Sequence, residues 1–301
     1  MKRPWQFLLS LLIALSGFGL APSALAVAPH PLLDDAGQTW QPRAPARRII
    51  SLAPDFTEIL FAIGVGEYVV GAVDYSDFPD AARQIPRIGS SARFDFERIV
   101  SLRPDLIVAW RGGNPASQIE GLRALDLPVF ELQTRRLGDV PRVMQTLGQL
   151  TGEAERADQV AATFEQGMRQ LQQRYMDRKA MRVFYEIWHQ PLQTIGGEQI
   201  LTDVLALCGG RNIFAELESL APQVGLEAVM QRRPEVVLFT PEVGRLAESK
   251  ARWQVWDTLP AVQQGHLYAL DPDLLHRAGP RLLQGAQQLC EALDRARQTN
   301  E

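Results

Sequence analysis

Residues 48–73, RIISLAPDFTEILFAIGVGEYVVGAV, decide the fold. Arg48 to Leu52 is a short apolar run suited to a buried strand. Pro54 and Asp55 are residues that open a helix, and Phe56, Ile59, Leu60 and Ile63 fall on one face of it. Gly64-Val-Gly66 stops that helix, and Val69 to Val73 returns to the strand pattern. Strand, helix and strand in so short a stretch form the unit of a parallel sheet, because parallel neighbours need a crossover connection.

The same grammar continues downstream. A helix begins at about Phe96, Leu106 to Trp110 is an apolar strand, a helix covers Ala116 to Leu125, and Val129 to Leu132 is a strand. From Glu153 to Arg178 the one helix breaker is Gly167, and Thr151 stands where it could cap the start. Ala161, Phe164, Met168, Leu171 and Tyr175 make a single apolar stripe along that stretch. Such an element spans on the order of 40 Å, enough to bridge two lobes. Beyond it the alternation restarts: Arg182 to Ile187 as strand, Glu198 to Leu207 as helix, Val236 to Thr240 and Leu267 to Leu270 as strands, and a closing helix from Pro280. The predicted fold class is α/β, two similar lobes with mainly parallel sheets. The expected divisions are a signal peptide over 1–26, an N-terminal arm without apolar periodicity over 27–46, lobes over 47–150 and 180–301, and a connecting helix over 151–179.

The halves echo each other. Glu97, in Phe96-Glu97-Arg98-Ile99, stands seven residues before Pro104-Asp105-Leu106-Ile107-Val108. Glu227, in Leu226-Glu227-Ala228-Val229, stands seven before Pro234-Glu235-Val236-Val237-Leu238. An acid near a helix start, a helix, a proline and a buried strand therefore recur once in each half.

Composition bounds the class. The chain has 301 residues, 46% hydrophobic and 22% charged, which excludes disordered, collagen-like and coiled-coil chains and needs no disulfide scaffold to build a core. Lys2 and Arg3, the uncharged apolar run Phe7 to Leu20 and Ala24-Leu25-Ala26 read as an export signal cleaved after Ala26, the alternative being an uncleaved anchor. No Cys follows that site to carry a lipid. Removing the leader takes away two cations and no acid, leaving 29 basic and 35 acidic side chains and a net charge of −6. An acidic chain without a Lys/Arg cluster argues against nucleic acid and anionic membranes as partners. Cys208 and Cys290 are the only cysteines; in an exported chain they pair as one disulfide or remain two buried thiols.

No catalytic or metal motif stands out. His30, His189, His266 and His276 have no paired metal-ligand spacing, and no nucleophile elbow, dinucleotide loop or phosphate loop follows a strand. What does stand out lies after strand ends, where open α/β sheets bind ligands. Tyr75-Ser-Asp-Phe-Pro79, Trp110-Arg111-Gly112-Gly113-Asn114, Trp188-His189-Gln190 and Asp273-Leu-Leu-His-Arg277 combine aromatic faces with polar groups. Such loops suit a large rigid ligand. Gly112 and Gly113 permit a tight turn or a close approach.

These segments, with Cys208-Gly-Gly-Arg-Asn-Ile-Phe214, Pro222-Gln223-Val224 and Arg277-Ala-Gly-Pro-Arg281, resemble the periplasmic cobalamin-binding proteins of ABC importers over about residues 46–296. The resemblance implies two Rossmann-like lobes joined by one long rigid helix, the class III arrangement of periplasmic binding proteins, with cobalamin or a related corrinoid held between them. It implies a disulfide between Cys208 and Cys290, no cofactor, a monomer, and handover to an inner-membrane permease and ATPase complex. Glu97 and Glu227 match the permease-docking acids, and Tyr75, Trp110, Asp273 and Arg277 match cleft positions. Arg111, Gly112 and Trp188 join the expected ligand site. Ser91, Ala221 and Leu274 stand where the family carries aromatic residues, a departure that would weaken binding or shift it to another corrinoid.

Two other readings remain. A haem or ferric-siderophore binder would use His189, His276 or Tyr75 as an axial group, or Arg111 and Arg277 against an anion. A periplasmic enzyme acting on a chelate would need a titratable pair, for which Asp273 and His276 are the candidates.

Overall fold

A computed structural model describes residues 31–41, 44–241 and 244–299; the expected leader lies outside them. The first half runs Ile49–Ser51 (β1), Pro54–Ala62 (α1), Val69–Ala72 (β2), Phe96–Ser101 (α2), Leu106–Trp110 (β3), Ala116–Ala124 (α3) and Val129–Leu132 (β4). Pro54 sits in the first turn of α1, where a missing N–H costs nothing. Asp95 caps α2 by accepting the Arg98 N–H. The four strands form one parallel sheet in the order β2-β1-β3-β4.

Asp139–Thr151 (α4) and Ala154–Tyr175 (α5) follow. The sequence does not predict α4, because Pro141, Gly148 and Gly152 punctuate it. Pro141 is harmless in a first turn; Gly148 admits Ala157, whose Cβ would lie 2.3 Å from a Cβ added there. Thr151 is not the cap of the long helix. It ends α4, its hydroxyl donating to the Leu147 carbonyl at 2.7 Å, and Gly152 turns the chain with φ 80° into α5. The long helix is thus 22 residues, shorter than expected and about 33 Å long.

The second half runs Met181–Glu186 (β5), Ile200–Leu207 (α6), Gly210–Asn212 (β6), Leu226–Arg232 (α7), Val236–Phe239 (β7), Leu246–Gln254 (α8), Leu267–Ala269 (β8), Pro272–Leu275 (α9) and Leu282–Gln298 (α10). Its sheet is also parallel, in the order β6-β5-β7-β8. The two sheets therefore share one topology, and the sequence echo marks equivalent places. Arg103 and Arg233 both end their helices with φ 47°. Asp105 accepts the Arg47 and Arg48 N–H groups just before β1, and Glu235 accepts the Arg182 N–H at the start of β5.

Strands buried on both faces explain why they read as apolar runs rather than alternating ones. Ile50 and Ile107 pack under Ile99 and Ile119 of α2 and α3. Phe184 and Val237 pack under Val229 and Trp253 of α7 and α8. The opposite faces belong to one cluster that runs from Ile49, Phe56 and Leu147 through Phe164 and Met168 of α5 to Val183, Leu201 and Leu289. The predicted stripe of α5 is this bridge between the cores.

The expected loose arm is built rather than loose in its described part. Leu32–Leu33 pairs antiparallel with Thr39–Trp40. Asp34 accepts the Ala36 and Gln38 N–H groups in the turn and the Glu131 N–H of β4, while Asp35 holds the Gln133 N–H and Arg142. An aspartate pair before a glycine is a turn signal that the Pro- and Ala-rich surroundings obscure.

Cys208 and Cys290 form a disulfide across a separation of 82 residues, tying the end of α6 to α10. A loop of that size is worth about 4 kcal/mol in chain-entropy terms. A Cys208→Ala/Cys290→Ala variant is expected to lose about 2–4 kcal/mol, read as a lower midpoint in urea unfolding, and to become insensitive to added reductant.

Candidate functional site

All strands in each sheet are parallel, so the loops after their C-terminal ends gather on one side. The loop after β2 carries Tyr75 and Asp77. It is fastened from below: the Thr57 hydroxyl donates to Ser76 Oγ, Arg87 donates to the Ser76 carbonyl at 2.8 Å, and Arg83 to the Asp77 carbonyl. Tyr75 itself stands 78% exposed in a left-handed conformation, φ 64°.

The loop after β3 explains its own sequence. Asn114 Oδ1 accepts the Trp110 N–H at 2.6 Å, and its amide donates to the Leu52 and Ser91 carbonyls, closing the turn. Gly112 has φ 85°. A Cβ on Gly113 would fall 1.9 Å from the Trp110 ring, so the second glycine is the seat of the indole. Trp110, Arg111 and Gly112 line a cavity of about 260 Å³ between the lobes, closed from the other side by Ile187, Ile200 and Ala221. Arg111 lies 3.8 Å from Glu131 and is partly open.

Ion pairs also join the two lobes. Glu58 of α1 is 3% exposed and takes Arg277 at 3.1 Å and Arg281 at 2.6 and 2.9 Å, both from the segment between α9 and α10. Arg277, 8% exposed, also donates to Asp77 at 2.8 Å and to Asp273 at 2.7 Å. The Arg281 guanidinium covers the Phe78 ring at 3.8 Å. Desolvation would raise the Asp77 carboxyl, but the Arg277 hydrogen bond and charge overcome it and hold it below the usual range. The opposite polarity appears elsewhere along the interface, where Arg135 meets Glu198 at 3.0 Å and Arg136 meets Asp203 at 3.1 Å and the Gly197 carbonyl.

The predicted residues therefore fall into groups. Trp110, Arg111 and Gly112 share the cavity, and Asp273 and Arg277 share the ion cluster. Trp188 is not among the cavity-lining residues; it stands 51% exposed on a hairpin, its indole donating to the Gln190 carbonyl. Its neighbour His189 lines a second cavity of about 200 Å³ with Leu192, Leu226, Arg252 and Trp256, floored by Glu186. Burial raises the Glu186 carboxyl even though the Trp253 indole and Arg252 favour its ionised form. Asp273 and His276 do not pair with each other by hydrogen bond: Asp273 is held by Arg277, and His276 Nε2 lies 3.1 Å from the Tyr185 hydroxyl. Of the positions without an aromatic, Ala221 is in the cavity wall, whereas Leu274 turns into the core.

Glu97 and Glu227 are exposed in the first turns of α2 and α7. Each helix leads back into the third strand of its sheet order, so its start lies on the cleft side. Sequence reasoning missed Glu58, Asp77 and Arg281. The signal for Glu58 was an acid set directly beside Ile59 on an apolar helix, a group that must find a cation when buried.

Residues 49–274 match the periplasmic binding protein family. The vitamin B12-binding proteins of Yersinia pestis (strain Pestoides F) and of Yersinia pseudotuberculosis (serotype O:1b, strain IP 31758) are each 36% identical over 252 residues, 84% of this chain and 88% of theirs. Among solved structures, the periplasmic vitamin B12 binding protein BtuF of Vibrio cholerae superposes with a TM-score of 0.77 at 34% identity, covering 84% of this chain and 98% of that one. The periplasmic heme-binding protein RhuT from Roseiflexus sp. RS-1 superposes with a TM-score of 0.73 at 27% identity, covering 83% and 99%.

Asp55, beside Glu58 on α1, is 8% exposed. Its carboxyl is pushed up to about 6, first by burial, partly opposed by backbone N–H groups, and further by the Glu58 charge. The folded form therefore keeps a proton that the unfolded chain releases, and stability from this group is present below about pH 4 and lost as pH rises through 6. Asp55→Asn is expected to be more stable than the parent at pH 7.5 by up to about 3 kcal/mol, with the difference gone near pH 4, as read by urea midpoints across that range.

Proposed function

The chain belongs to the periplasmic binding protein family, and on that premise we propose that it captures cobalamin or a related corrinoid between its two lobes and hands it to an ABC importer. The observation that carries this reading is the cleft at the C-terminal strand edges, with an indole presented over Gly113, in a chain aligned over 84% of its length with vitamin B12-binding proteins. The relatives' names describe binding proteins rather than enzymes. Capture and release need no bond chemistry and no resident cofactor.

The ligand site in this proposal comprises Tyr75, Trp110, Arg111, Gly112, Trp188, Asp273 and Arg277. The cavity of about 260 Å³ is small against the roughly 300–1,000 Å³ of ordinary small-molecule sites, so a corrinoid ring would lie across its mouth. The exposed Tyr75 and Trp188 rings then become useful as outer faces, and Trp110 as the inner one. The division at 27–46, 47–150, 151–179 and 180–301 belongs to the same proposal, supported by the two like sheets and by α5 between them. So does export to the periplasm by a leader cleaved after Ala26, function as a monomer, and docking on a permease and ATPase complex through Glu97 and Glu227, supported by their equivalent exposed places.

Haem is the second reading, favoured by the superposition on a heme-binding protein at 27% identity. Calorimetric titration of leader-free, oxidised protein with cyanocobalamin, dicyanocobinamide and hemin separates the two. One-to-one corrinoid binding is expected; a stable Soret band with hemin and no heat from either corrinoid would replace this reading by haem.

Docking has its own measurement. Glu97→Ala combined with Glu227→Ala is expected to abolish most uptake into vesicles carrying the cognate importer while leaving corrinoid affinity unchanged, and undiminished uptake would remove both residues from the interface.

A further inference from the structure

The ion cluster has a polarity that bears on which ligand the cleft accepts. Arg277 is buried, and its guanidinium donates to carboxylates: Glu58 and Asp77 from the first lobe, Asp273 from the second. Its guanidinium thereby serves the ligand site by holding these acids in place. The groups that it leaves accessible are oxygens, because the Asp77 and Asp273 side chains, one from each lobe, remain 41% and 55% exposed. Three carboxylates, those of Glu58, Asp77 and Asp273, face two guanidinium groups, those of Arg277 and Arg281. Arg83, ion-paired with Asp80, also favours the ionised form of Asp77, so what distinguishes the rim is the acceptors that it presents.

Glu58 sets this arrangement from beneath. Its two oxygens take both arginines, its side chain is 2% exposed, and its helix is locked into the first core. Arg281 in turn lies on Phe78, next to Asp77. The two aspartates would repel if brought together alone; Arg277, held by Glu58, keeps one from each lobe at the same spot.

We infer that Asp77 is a specificity-determining residue that, paired with Asp273, reads amide N–H groups on the rim of a macrocycle and rejects carboxylates, with Glu58 as the residue that positions the pair through Arg277. The inference rests on the corrinoid reading and names what that reading alone does not: why an amide-edged ring is taken in preference to a carboxylate-edged one. An uncharged amide donates to an aspartate oxygen without an electrostatic penalty. A carboxylate at the same place meets like charge in a partly desolvated site, where repulsion is stronger than in water.

The test compares affinities for cyanocobalamin and for the same corrinoid with its side-chain amides hydrolysed to carboxylates, with hemin as a third probe. Parent protein, Asp77→Asn and Glu58→Gln are titrated, and their melting temperatures are recorded. Asparagine keeps an acceptor oxygen and drops the charge. The parent is expected to favour the amide form at least tenfold. Asp77→Asn is expected to cut that ratio about tenfold, chiefly by tighter binding of the carboxylate form. Glu58→Gln is expected to lower cobalamin affinity and the ratio together, and the effects of the two substitutions should not add when combined. An unchanged ratio in Asp77→Asn overturns the inference while leaving the corrinoid reading intact. A parent protein that binds neither corrinoid overturns that reading, and one that binds hemin in their place overturns both.

Discussion

A buried carboxylate in an apolar helix holds the two halves of this molecule in register. Glu58 has no solvent to hydrate it, and its cationic partners are supplied by the other lobe. Burying such a charge alone is expensive, and removing one partner from a buried pair costs roughly 3–5 kcal/mol. A buried ion pair adds little net stability compared with apolar packing, so what Glu58 contributes is geometry. Arg277, Arg281, Phe78 and Asp77 take their places because Glu58 fixes the first two.

The rest of the inter-lobe contact is uneven. Arg135 with Glu198, and Arg136 with Asp203, are substantially exposed pairs of the kind worth about 0–1 kcal/mol. The cleft is therefore held strongly at the α1 contact and weakly at the α6 contact, with α5 and its continuous core behind both.

Much of this was written in local pattern. The strands Leu106–Trp110 and Val129–Leu132 are found as predicted, because runs buried on both faces in a parallel sheet need no partner to be recognised. The repeat around Glu97 and Glu227 was legible because the same turn chemistry, a left-handed arginine followed by proline and an acid, had to be satisfied twice. What escaped was non-local. α4 was hidden by a proline and glycines whose tolerance depends on a first turn and on a close neighbour helix. Thr151 is a plausible cap until the preceding helix claims it. Glu58, Asp77 and Arg281 lie far apart in the chain, and only the folded arrangement of α1, the β2 loop and the α10 entry joins them. Trp188 follows β5, as a residue close to the cleft should, but the hairpin that carries it leaves the ring 51% exposed and outside the lining of the cavity of about 260 Å³.

The hairpin at Leu32–Trp40 lies along β4, the last strand of the first sheet. A bare strand edge offers unpaired N–H and carbonyl groups to any other chain in the same state. By bonding Asp34 and Asp35 to β4 and its exit, this segment takes up groups that another strand could have used. With those groups taken, the edge of the first sheet has fewer unpaired N–H and carbonyl groups to offer a strand from elsewhere.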